Sequence, residues 1–567
     1  MLGTAQRRYL EQEGRVFFRV ARKITNHGPT IDKLPLIDTQ LAYHLAPESS
    51  ENTILFLSYL SMATRQGNMC VEINESTLTP DPKAVLMKAI DSDNEKTPTE
   101  LDFETIKKQI IDGAQHLPEL PNTIYIDGNT YYFKRYWTNM QQFSSACRQL
   151  LDAIPKILPE NQPIHNMEPE QEHAIRNAMK NTLSIICGGP GTGKTFTAGR
   201  LIRYYWCGLD AEKQNRCTIA VAAPTGKAAA NLQRSLTLAT ADLEGFPVIQ
   251  AQTLHALLGI RRSEPKELTY DLVLIDESSM IDAALMARLF RAVKPGSRLI
   301  LLGDPYQLPP VEVGAPFSQL INSLGAAHVT TLSRCLRAEL KTIVDLATLI
   351  KHGDSSAVLR MLTSTHEGIG YEKEFPIEKI AAKYPTTLPV DNEKQILESF
   401  NNFRLLTPLR KGPLGVDHLN MQIFQKIRQR WKKDTPLIIP IMITANDYKR
   451  GLFNGETGVI IKNSGDSAGY HQGDYALFPD AENSIRRLPA LLLPRFELAY
   501  CLSVHKSQGS EFKDVVLMLP KEAEIFGREV FYTGVTRAKR SITVTGSEGT
   551  IINTIITANN RNVGKLF

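Results

Sequence analysis

Short runs of residues that are apolar at nearly every position recur in two parts of this 567-residue chain. In the first part they predict strands at Leu183–Cys187, Thr218–Ala222, Leu272–Ile275 and Arg298–Leu302. In the second part they predict strands at Arg404–Leu406, Leu498–Ser503, Val515–Leu519 and Ser541–Thr545. Such strands are usually covered on both faces, and in a parallel sheet helices provide the cover. We therefore predict an α/β protein with two parallel sheets.

The pattern differs before the first predicted sheet. Helices are predicted at Asp38–Leu45, Glu51–Thr64 and Leu101–Leu117, and a polar loop is predicted at Asp91–Pro98. Two short strands flank Asp127, Gly128 and Asn129, a sequence that favours a hairpin because Asp and Gly tolerate positive φ. Residues 1–158 are therefore predicted to form a mainly helical N-terminal domain.

A third pattern interrupts the second part of the chain. The segment Leu437–Leu493 is rich in strand-forming residues and in turns, including Asn454 followed by Gly455. It predicts a small SH3-like β-barrel, inserted at about residues 430–495. The predicted domains are then residues 1–158, 159–335 and 336–567.

Composition adds few constraints. A chain of 567 residues fits roughly three or four domains of about 100–200 residues. No apolar run approaches the roughly 18 residues of a membrane helix, and we expect a cytoplasmic protein. The seven cysteines include no C-x-x-C pair, which favours buried thiols in a reducing compartment. A net charge of +5 neither requires nor excludes nucleic acid, because a protein that holds a few phosphates needs only a local track.

A glycine-rich segment after the first predicted strand fits the pattern G-x-x-x-x-G-K-T. Its residues are Gly188, Gly189, Pro190, Gly191, Thr192, Gly193, Lys194 and Thr195. Small residues allow backbone N–H groups to surround a phosphate, and the following helix adds the positive end of its dipole. We expect Lys194 on the β- and γ-phosphates of a nucleotide and the Thr195 hydroxyl on Mg²⁺.

Two acids follow the predicted strand Leu272–Ile275. Asp276 and Glu277 would project from the carboxyl edge of the sheet, next to the phosphate loop. We expect Asp276 to hold Mg²⁺ and Glu277 to orient and deprotonate the attacking water, which favours hydrolysis over transfer to a metabolite. Without the phosphate loop, the same pair would equally suit a solvated loop.

Three further residues suit a hydrolytic site. Gln307 follows the next predicted strand, where its side chain can contact both a γ-phosphate and the attacking water. Arg337 and Arg537 are positioned later in the chain, and an arginine that reaches across a cleft stabilises the charge of a phosphoryl-transfer transition state. A single arginine is more often an ordinary surface residue, so these two depend on the resemblance described next.

The order of these motifs resembles that of superfamily 1 helicases across residues 168–567. Further segments carry the resemblance: Glu168–Ala174, Ala223–Ala229, Thr253–Gly259, Val504–Glu511 and Tyr532–Lys539. The resemblance implies two RecA-like lobes that bind ATP, with Gln171 reading the adenine. It also implies that Thr225, Thr253, His255, His505 and Ser507 line a track for single-stranded DNA. From the residues alone, Thr225 would equally cap a helix and His255 would equally be a core histidine.

Other segments narrow the resemblance to the RecD family, the alpha subunits of exodeoxyribonuclease V (RecBCD). They are Arg404–Asn420, Met442–Gly455, Gly67–Ile73 and Asp127–Trp137. The resemblance implies 5′-to-3′ movement along one strand from a duplex end, RecB-like and RecC-like partners in a heterotrimer, and a role in repair of double-strand breaks by recombination. It places the nuclease on the beta subunit, and residues 1–158 would dock the partners.

Two rival functions stay open at this point. The chain would instead be a stand-alone helicase of the RecD-like group, or a structural subunit whose nucleotide state only regulates other chains. The complete set of acidic, amide and arginine elements favours an active ATPase over a structural subunit.

Overall fold

The structure is a computed structural model of the chain. It describes Ile31 and residues 34–91, 102–120, 122–260, 267–336, 341–374, 376–385, 392–432, 435–447, 449–465, 467, 469–479, 484–558 and 561–567. Most of the predicted loop Asp91–Pro98 lies outside the described residues. No helix in the described ranges is both long enough and apolar enough to cross a membrane.

The N-terminal region combines helices with a small antiparallel sheet. Its elements are α1 (Leu36–Leu45), α2 (Glu51–Arg65), β1 (Cys70–Asn74), β2 (Thr77–Thr79), α3 (Pro82–Asp91), α4 (Phe103–Gln115), β3 (Ile124–Asp127), β4 (Thr130–Phe133) and α5 (Lys134–Asp152). The strand order is β2-β1-β4-β3. The predicted hairpin is confirmed as β3 and β4, with Gly128 at φ 56°. Sequence analysis did not predict β1 or β2.

The next region contains the first parallel sheet. Its elements are α6 (Pro169–Lys180), β5 (Leu183–Gly188), α7 (Lys194–Cys207), α8 (Ala211–Arg216), β6 (Ile219–Ala223), α9 (Gly226–Thr240), β7 (Gln252–Thr253), α10 (Leu254–Leu257), β8 (Leu272–Ile275), α11 (Ala283–Ala292), β9 (Arg298–Gly303), α12 (Pro316–Ser323) and β10 (Val329–Leu332). The strands pair in parallel in the order β10-β5-β9-β8-β6-β7.

Alternate side chains of this sheet enter two separate cores. Leu299 and Leu301 pack with α5 and α11, whereas Ile300 and Leu302 pack with α6 and α7. The two-sided burial explains why these strands are apolar at nearly every position. We call this sheet and the helices packed on it the first lobe.

The rest of the chain contains two further sheets. Its elements are α13 (Lys341–His352), α14 (Ser355–Thr363), β11 (Ile369–Glu372), α15 (Ile377–Ala382), α16 (Glu393–Asn402), β12 (Phe403–Thr407), α17 (Val416–Arg430), β13 (Leu437–Ile443), β14 (Thr457–Lys462), β15 (Tyr475–Pro479), β16 (Ile485–Pro489), β17 (Phe496–Leu498), β18 (Cys501–Ser503), β19 (Phe512–Met518), α18 (Gly527–Val535), β20 (Ala538–Thr545) and α19 (Glu548–Ile556). The parallel sheet β11-β20-β19-β12-β18 and its helices form the second lobe. The prediction of two parallel sheets is therefore confirmed.

The inserted region is a five-stranded antiparallel sheet in the order β16-β15-β14-β13-β17. Among the described residues β16 and β17 form its two edges, so closure into an SH3-like barrel stays a prediction. The single strand predicted at Leu498–Ser503 is wrong. The chain passes there from β17 in the inserted sheet to β18 in the second lobe, and the buried Ala499 and Tyr500 lie between them.

Candidate nucleotide site and interlobe cleft

The phosphate loop connects β5 to α7 at the carboxyl edge of the first sheet. Gly191 and Gly193 have φ values of 75° and 81°, in the left-handed region that favours glycine. A side chain on Gly188 would place its Cβ 2.5 Å from the Thr192 Oγ1. The buried strand therefore ends in a close backbone turn, and α7 begins at its end with the unpaired N–H groups that suit a phosphate.

Lys194 and Thr195 stand at the first turn of α7. The Lys194 ammonium donates to the Gly188 and Gly189 carbonyls, at 2.6 and 3.0 Å, so it lies across the loop. The Thr195 hydroxyl donates to the Asp276 Oδ2 at 2.8 Å. The structure thus brings together the residues that the sequence predicts as phosphate and metal ligands.

Asp276 and Glu277 follow β8 directly. Burial raises the pKa of Asp276, and burial together with the Asp276 charge raises the pKa of Glu277. Glu277 has a φ of 51°, which is strained for a residue with a side chain. Its Oε2 atom is buried and has no hydrogen-bond partner among the described residues. A buried carboxylate with an unused acceptor and a raised pKa suits a general base.

Gln307 lies in the loop after β9, at the interface between the lobes. Asp304 accepts hydrogen bonds from the Gln307 amide at 3.3 Å and from the Tyr532 hydroxyl of the second lobe at 3.0 Å. The neighbouring Leu308 N–H donates to the Thr533 hydroxyl at 2.9 Å. The loop of Gln307 is therefore bonded directly to α18, and a movement between the lobes would act on it.

The two predicted arginines have different outcomes. Arg537 is buried at the end of α18, where it donates to the Thr533 and Ser510 carbonyls at 3.0 and 3.3 Å. The positive charge of Arg537 acts to lower the pKa of Glu277. Burial acts in the opposite direction and is the larger effect, so the pKa of Glu277 is raised overall. Arg337 lies outside the described residues.

Gln171 lies beside the phosphate loop. Its amide nitrogen donates to the Thr192 carbonyl at 3.1 Å, and its oxygen accepts from the Glu168 N–H at 3.3 Å, which caps α6. A Cβ on Gly193 would lie 2.5 Å from this amide. The glutamine is thus held against the loop with both ends of its amide bonded inside the protein, and its contact with adenine stays a prediction.

Three of the predicted DNA contacts lie on the first lobe. Thr225 and Thr253 each accept a backbone N–H at 3.2 Å and cap α9 and α10, while both side chains stay half-buried. His255 is exposed, so it is not a core histidine. Their contact with DNA stays a prediction.

His505 and Ser507 lie after β18 in the second lobe. His505 is half-buried, and its ring meets the edge of Phe526 at 5.8 Å. Ser507 is buried and donates to the Val504 carbonyl at 2.7 Å, so in this conformation its hydroxyl is used inside the protein. A contact from Ser507 to DNA would use its backbone.

Acid should destabilise the chain through His505. Burial, with the positive charges of Arg561 and Lys88, lowers the pKa of His505 from 6.5 to about 4. As the pH falls from 6.5 towards 4, the unfolded chain binds a proton that the folded chain excludes, so the free energy of unfolding decreases. Above pH 6.5 both states are neutral and the effect disappears.

We expect His505→Gln to lose less stability than the wild type when urea unfolding is compared at about pH 7 and about pH 5. Substitution of the exposed His255 by Gln is the control. An equal acid loss in the wild type and His505→Gln would contradict the prediction.

The structure adds a lobe contact that the sequence analysis did not single out. Lys227, at the start of α9, donates to the Ser510 hydroxyl of the second lobe at 2.7 Å, and burial lowers its pKa to about 8. The Gln508 amide donates to the Leu308 carbonyl at 3.2 Å across the same interface. Lys227 and Gln508 lie within two segments that resemble superfamily 1 helicases, Ala223–Ala229 and Val504–Glu511. That resemblance was the signal in the sequence that could have indicated this contact between the lobes.

Comparisons with known proteins agree with this architecture. Residues 166–368 match the family model of an AAA domain, and residues 498–545 match a UvrD-like helicase C-terminal domain. The chain is 34% identical to the RecBCD enzyme subunit RecD of Mycolicibacterium smegmatis in an alignment of 463 residues, gaps included, that covers 76% of this chain and 80% of that protein. It is 31% identical to the RecBCD enzyme subunit RecD of Mycobacterium tuberculosis in an alignment of 562 residues, gaps included, that covers 93% of this chain and 92% of that protein.

A third relative is the ATP-dependent RecD2 DNA helicase of Deinococcus radiodurans. It is 30% identical over 396 residues, which cover 67% of this chain but only 49% of that helicase. The match to the RecD subunits extends over most of both proteins, whereas the match to RecD2 covers half of the longer one. The chain therefore belongs to the RecD family of RecBCD enzyme subunits.

Proposed function

We propose that this chain is an ATP-driven DNA helicase that moves 5′ to 3′ as the RecD subunit of a RecBCD-type helicase–nuclease. The observation that carries the proposal is the convergence at one interlobe cleft of Lys194, Glu277, Gln307 and Arg537. Each has a separate part in nucleotide hydrolysis, and the last is contributed by the other lobe.

The geometry supports a hydrolytic cycle. The backbone amides of the phosphate loop and Lys194 bind the phosphates of ATP. Gln171, which lies against this loop, reads the adenine. Glu277 takes the proton of the attacking water, and Arg537 stabilises the charge that develops on the transferred group. Gln307 contacts the γ-phosphate while ATP is intact. Because Asp304 accepts hydrogen bonds from both Gln307 and Tyr532, loss of the γ-phosphate changes the contact between the Gln307 loop and α18.

The residues fit Mg²⁺ as the companion of ATP. Thr195 and Asp276 present a hydroxyl and a carboxylate oxygen 2.8 Å apart, and oxygen ligands are those that Mg²⁺ prefers. When bound, Mg²⁺ would neutralise phosphate charge. We propose Thr195 and Asp276 as its protein ligands.

We propose that the DNA strand crosses both lobes at Thr225, Thr253, His255, His505 and Ser507. Small polar groups and backbone amides can hold phosphates without reading bases, as a translocase requires. Closing and opening of the cleft with each ATP would then move one set of contacts relative to the other along the strand.

We also propose that residues 1–158 dock RecB-like and RecC-like subunits, with 159–335 and 336–567 as the two motor domains. Leu36 and Ile37 on α1 are 58% and 62% exposed, an unusual exposure for two adjacent large apolar residues. Function at double-strand breaks follows from membership of such an assembly.

The activity is tested with the full-length chain. We expect ATP hydrolysis that increases on addition of single-stranded DNA, and unwinding of a duplex that carries a 5′ tail. The Lys194→Gln variant measures the hydrolysis that comes from contaminating ATPases, because it lacks the ammonium group that contacts the phosphates of ATP. If hydrolysis were the same in Lys194→Gln as in the wild type, the motor assignment would fail.

A stand-alone helicase is the second candidate, and the RecD2 match supports it. Co-purification from native cells separates the two functions. Two large accompanying chains support the subunit assignment, whereas rapid unwinding by a chain that purifies alone supports the second candidate.

A further inference from the structure

Residues 561–567 follow the second lobe in sequence but pack on the first. The preceding helix α19 belongs to the second lobe, where Ile551 and Ile555 are buried with Phe531. Leu566 is instead buried in the core between the first sheet and α5. Its carbonyl accepts the Ser144 hydroxyl at 2.5 Å. The segment 561–567 therefore ties the two lobes together outside the nucleotide cleft.

The same segment is bonded to the N-terminal region. The Met69 N–H donates to the Asn562 carbonyl at 2.7 Å, and the Asn562 N–H donates to the Asn68 side chain at 2.8 Å. The Asn562 amide reaches the Thr79 carbonyl at 3.1 Å. These contacts fix the position of the adjacent Arg561.

Arg561 forms hydrogen bonds with the loop that carries Gln307. Its guanidinium donates to the Pro310 and Glu312 carbonyls, both at 2.6 Å, and to the Gly314 carbonyl at 2.9 Å. Burial lowers the pKa of this arginine to about 10. Three carbonyls of one loop on one buried guanidinium fix the loop, because a planar fork of donors holds its acceptors in a defined geometry.

Arg561 also acts electrostatically on a predicted DNA contact of the second lobe. Its charge, after burial, is the largest influence that lowers the pKa of His505. A cleft of about 900 Å³ is lined by residues of the segment 561–567, including Arg561, and by Lys351 and Arg528 of the second lobe. Arg561 thus holds the Gln307 loop and lines, together with Gln307, a cleft that the second lobe also borders.

We propose that Arg561 is a positioning residue that couples DNA binding to ATP hydrolysis, by holding the loop 304–314 so that Gln307 follows the movement between the lobes. The inference rests on the proposed helicase function. A brace that only stabilises the fold would affect every activity equally, whereas a coupling residue affects the DNA-stimulated rate selectively.

The test is Arg561→Ala in the full-length chain. We expect the DNA-stimulated kcat for ATP to fall about fivefold to tenfold, a typical range for the loss of a coupling contact. The KM for ATP and the rate without DNA should stay within about twofold, because the phosphate loop is untouched. Arg561→Lys keeps the charge but loses the fork, and we expect partial rescue.

Gly67→Ala provides an independent route to the same effect. Gly67 has a φ of 96°, and a Cβ there would lie 2.4 Å from the Arg561 Cζ, so the guanidinium must move. Gly128→Ala controls for backbone strain, because Gly128 has a φ of 56° and open space around it. Arg216→Ala controls for loss of an arginine whose side chain is 79% exposed. The Gly67→Ala and Arg561→Ala effects should not add, since both release one contact.

The outcomes separate the two levels of the proposal. A wild-type chain whose hydrolysis does not respond to DNA overturns the helicase function itself. A wild type that responds, with Arg561→Ala and Gly67→Ala variants that respond to the same degree, overturns only the coupling. A proportional fall of the DNA-free and DNA-stimulated rates, with a lower melting temperature, identifies a structural brace and also overturns the coupling.

Discussion

Glu277→Gln should bind ATP with nearly unchanged affinity and lose about 10²–10⁴-fold in the rate of hydrolysis. Gln has the size of Glu and can still occupy the buried position, but it cannot accept the proton of the attacking water. The loss should appear in kcat and not in the KM for ATP, because the phosphate ligands of the loop and Lys194 are unchanged.

The structure gives three reasons to place the base at Glu277. Its Oε2 atom is buried and has no partner among the described residues. Burial and the adjacent Asp276 raise its pKa, which brings a carboxylate closer to the range useful for proton transfer. Its backbone is held in a left-handed conformation at φ 51°, a strain that the surrounding fold must maintain.

The measurement is steady-state hydrolysis with saturating single-stranded DNA, together with equilibrium binding of a fluorescent ATP analogue. Glu244→Gln, at an exposed glutamate of the same lobe, is the matched control and should be indistinguishable from wild type. A Glu277→Gln variant that binds ATP and keeps more than about one tenth of the wild-type kcat would contradict the assignment.

The phosphate loop is the part of the site that sequence predicts best, because all of its determinants are consecutive. An apolar strand, glycines at the two positive-φ positions and a lysine at the helix start specify the turn locally. The strand Leu272–Ile275 agrees with its predicted bounds for the same reason, since burial on both faces leaves a continuous apolar run.

Contacts between distant parts of the chain could not be predicted in this way. The bond from Tyr532 to Asp304 joins residues that are 228 positions apart, and no local pattern marks it. Likewise, nothing in the sequence of residues 561–567 shows that Leu566 enters the core of the first lobe. These contacts depend on how two separately predicted sheets are oriented.

The error at Leu498–Ser503 has a similar origin. A continuous run of apolar residues was predicted to be one strand, but its two ends pair with different sheets. Burial by two neighbouring cores gives the same apolar pattern as burial on two faces of one sheet. Periodicity alone cannot distinguish these arrangements.

Arg537→Ala should lower the DNA-stimulated kcat by about 10³–10⁵-fold, the range for removing an arginine that stabilises a phosphoryl-transfer transition state. Arg537 belongs to the second lobe, yet its charge acts on Glu277 in the first. In the present conformation its guanidinium donates to Thr533, Thr536 and Ser510, so the side chain is already held at the cleft. Contact with the γ-phosphate would exchange some of these bonds for bonds to the nucleotide.

The same side chain also supports the fold, and the experiment must separate the two roles. Arg537→Lys keeps a positive charge at the cleft but loses the planar fork, and we expect it to fold while remaining far below the wild-type kcat. Arg540→Ala is the matched control, because Arg540 lies three residues further on, is 71% exposed and pairs with Asp514 outside the cleft. Hydrolysis is measured in parallel with thermal unfolding and ATP-analogue binding. If Arg537→Lys and Arg537→Ala both fold, bind ATP and stay within about tenfold of the wild-type kcat, Arg537 is not the transition-state arginine, and that role passes to Arg337.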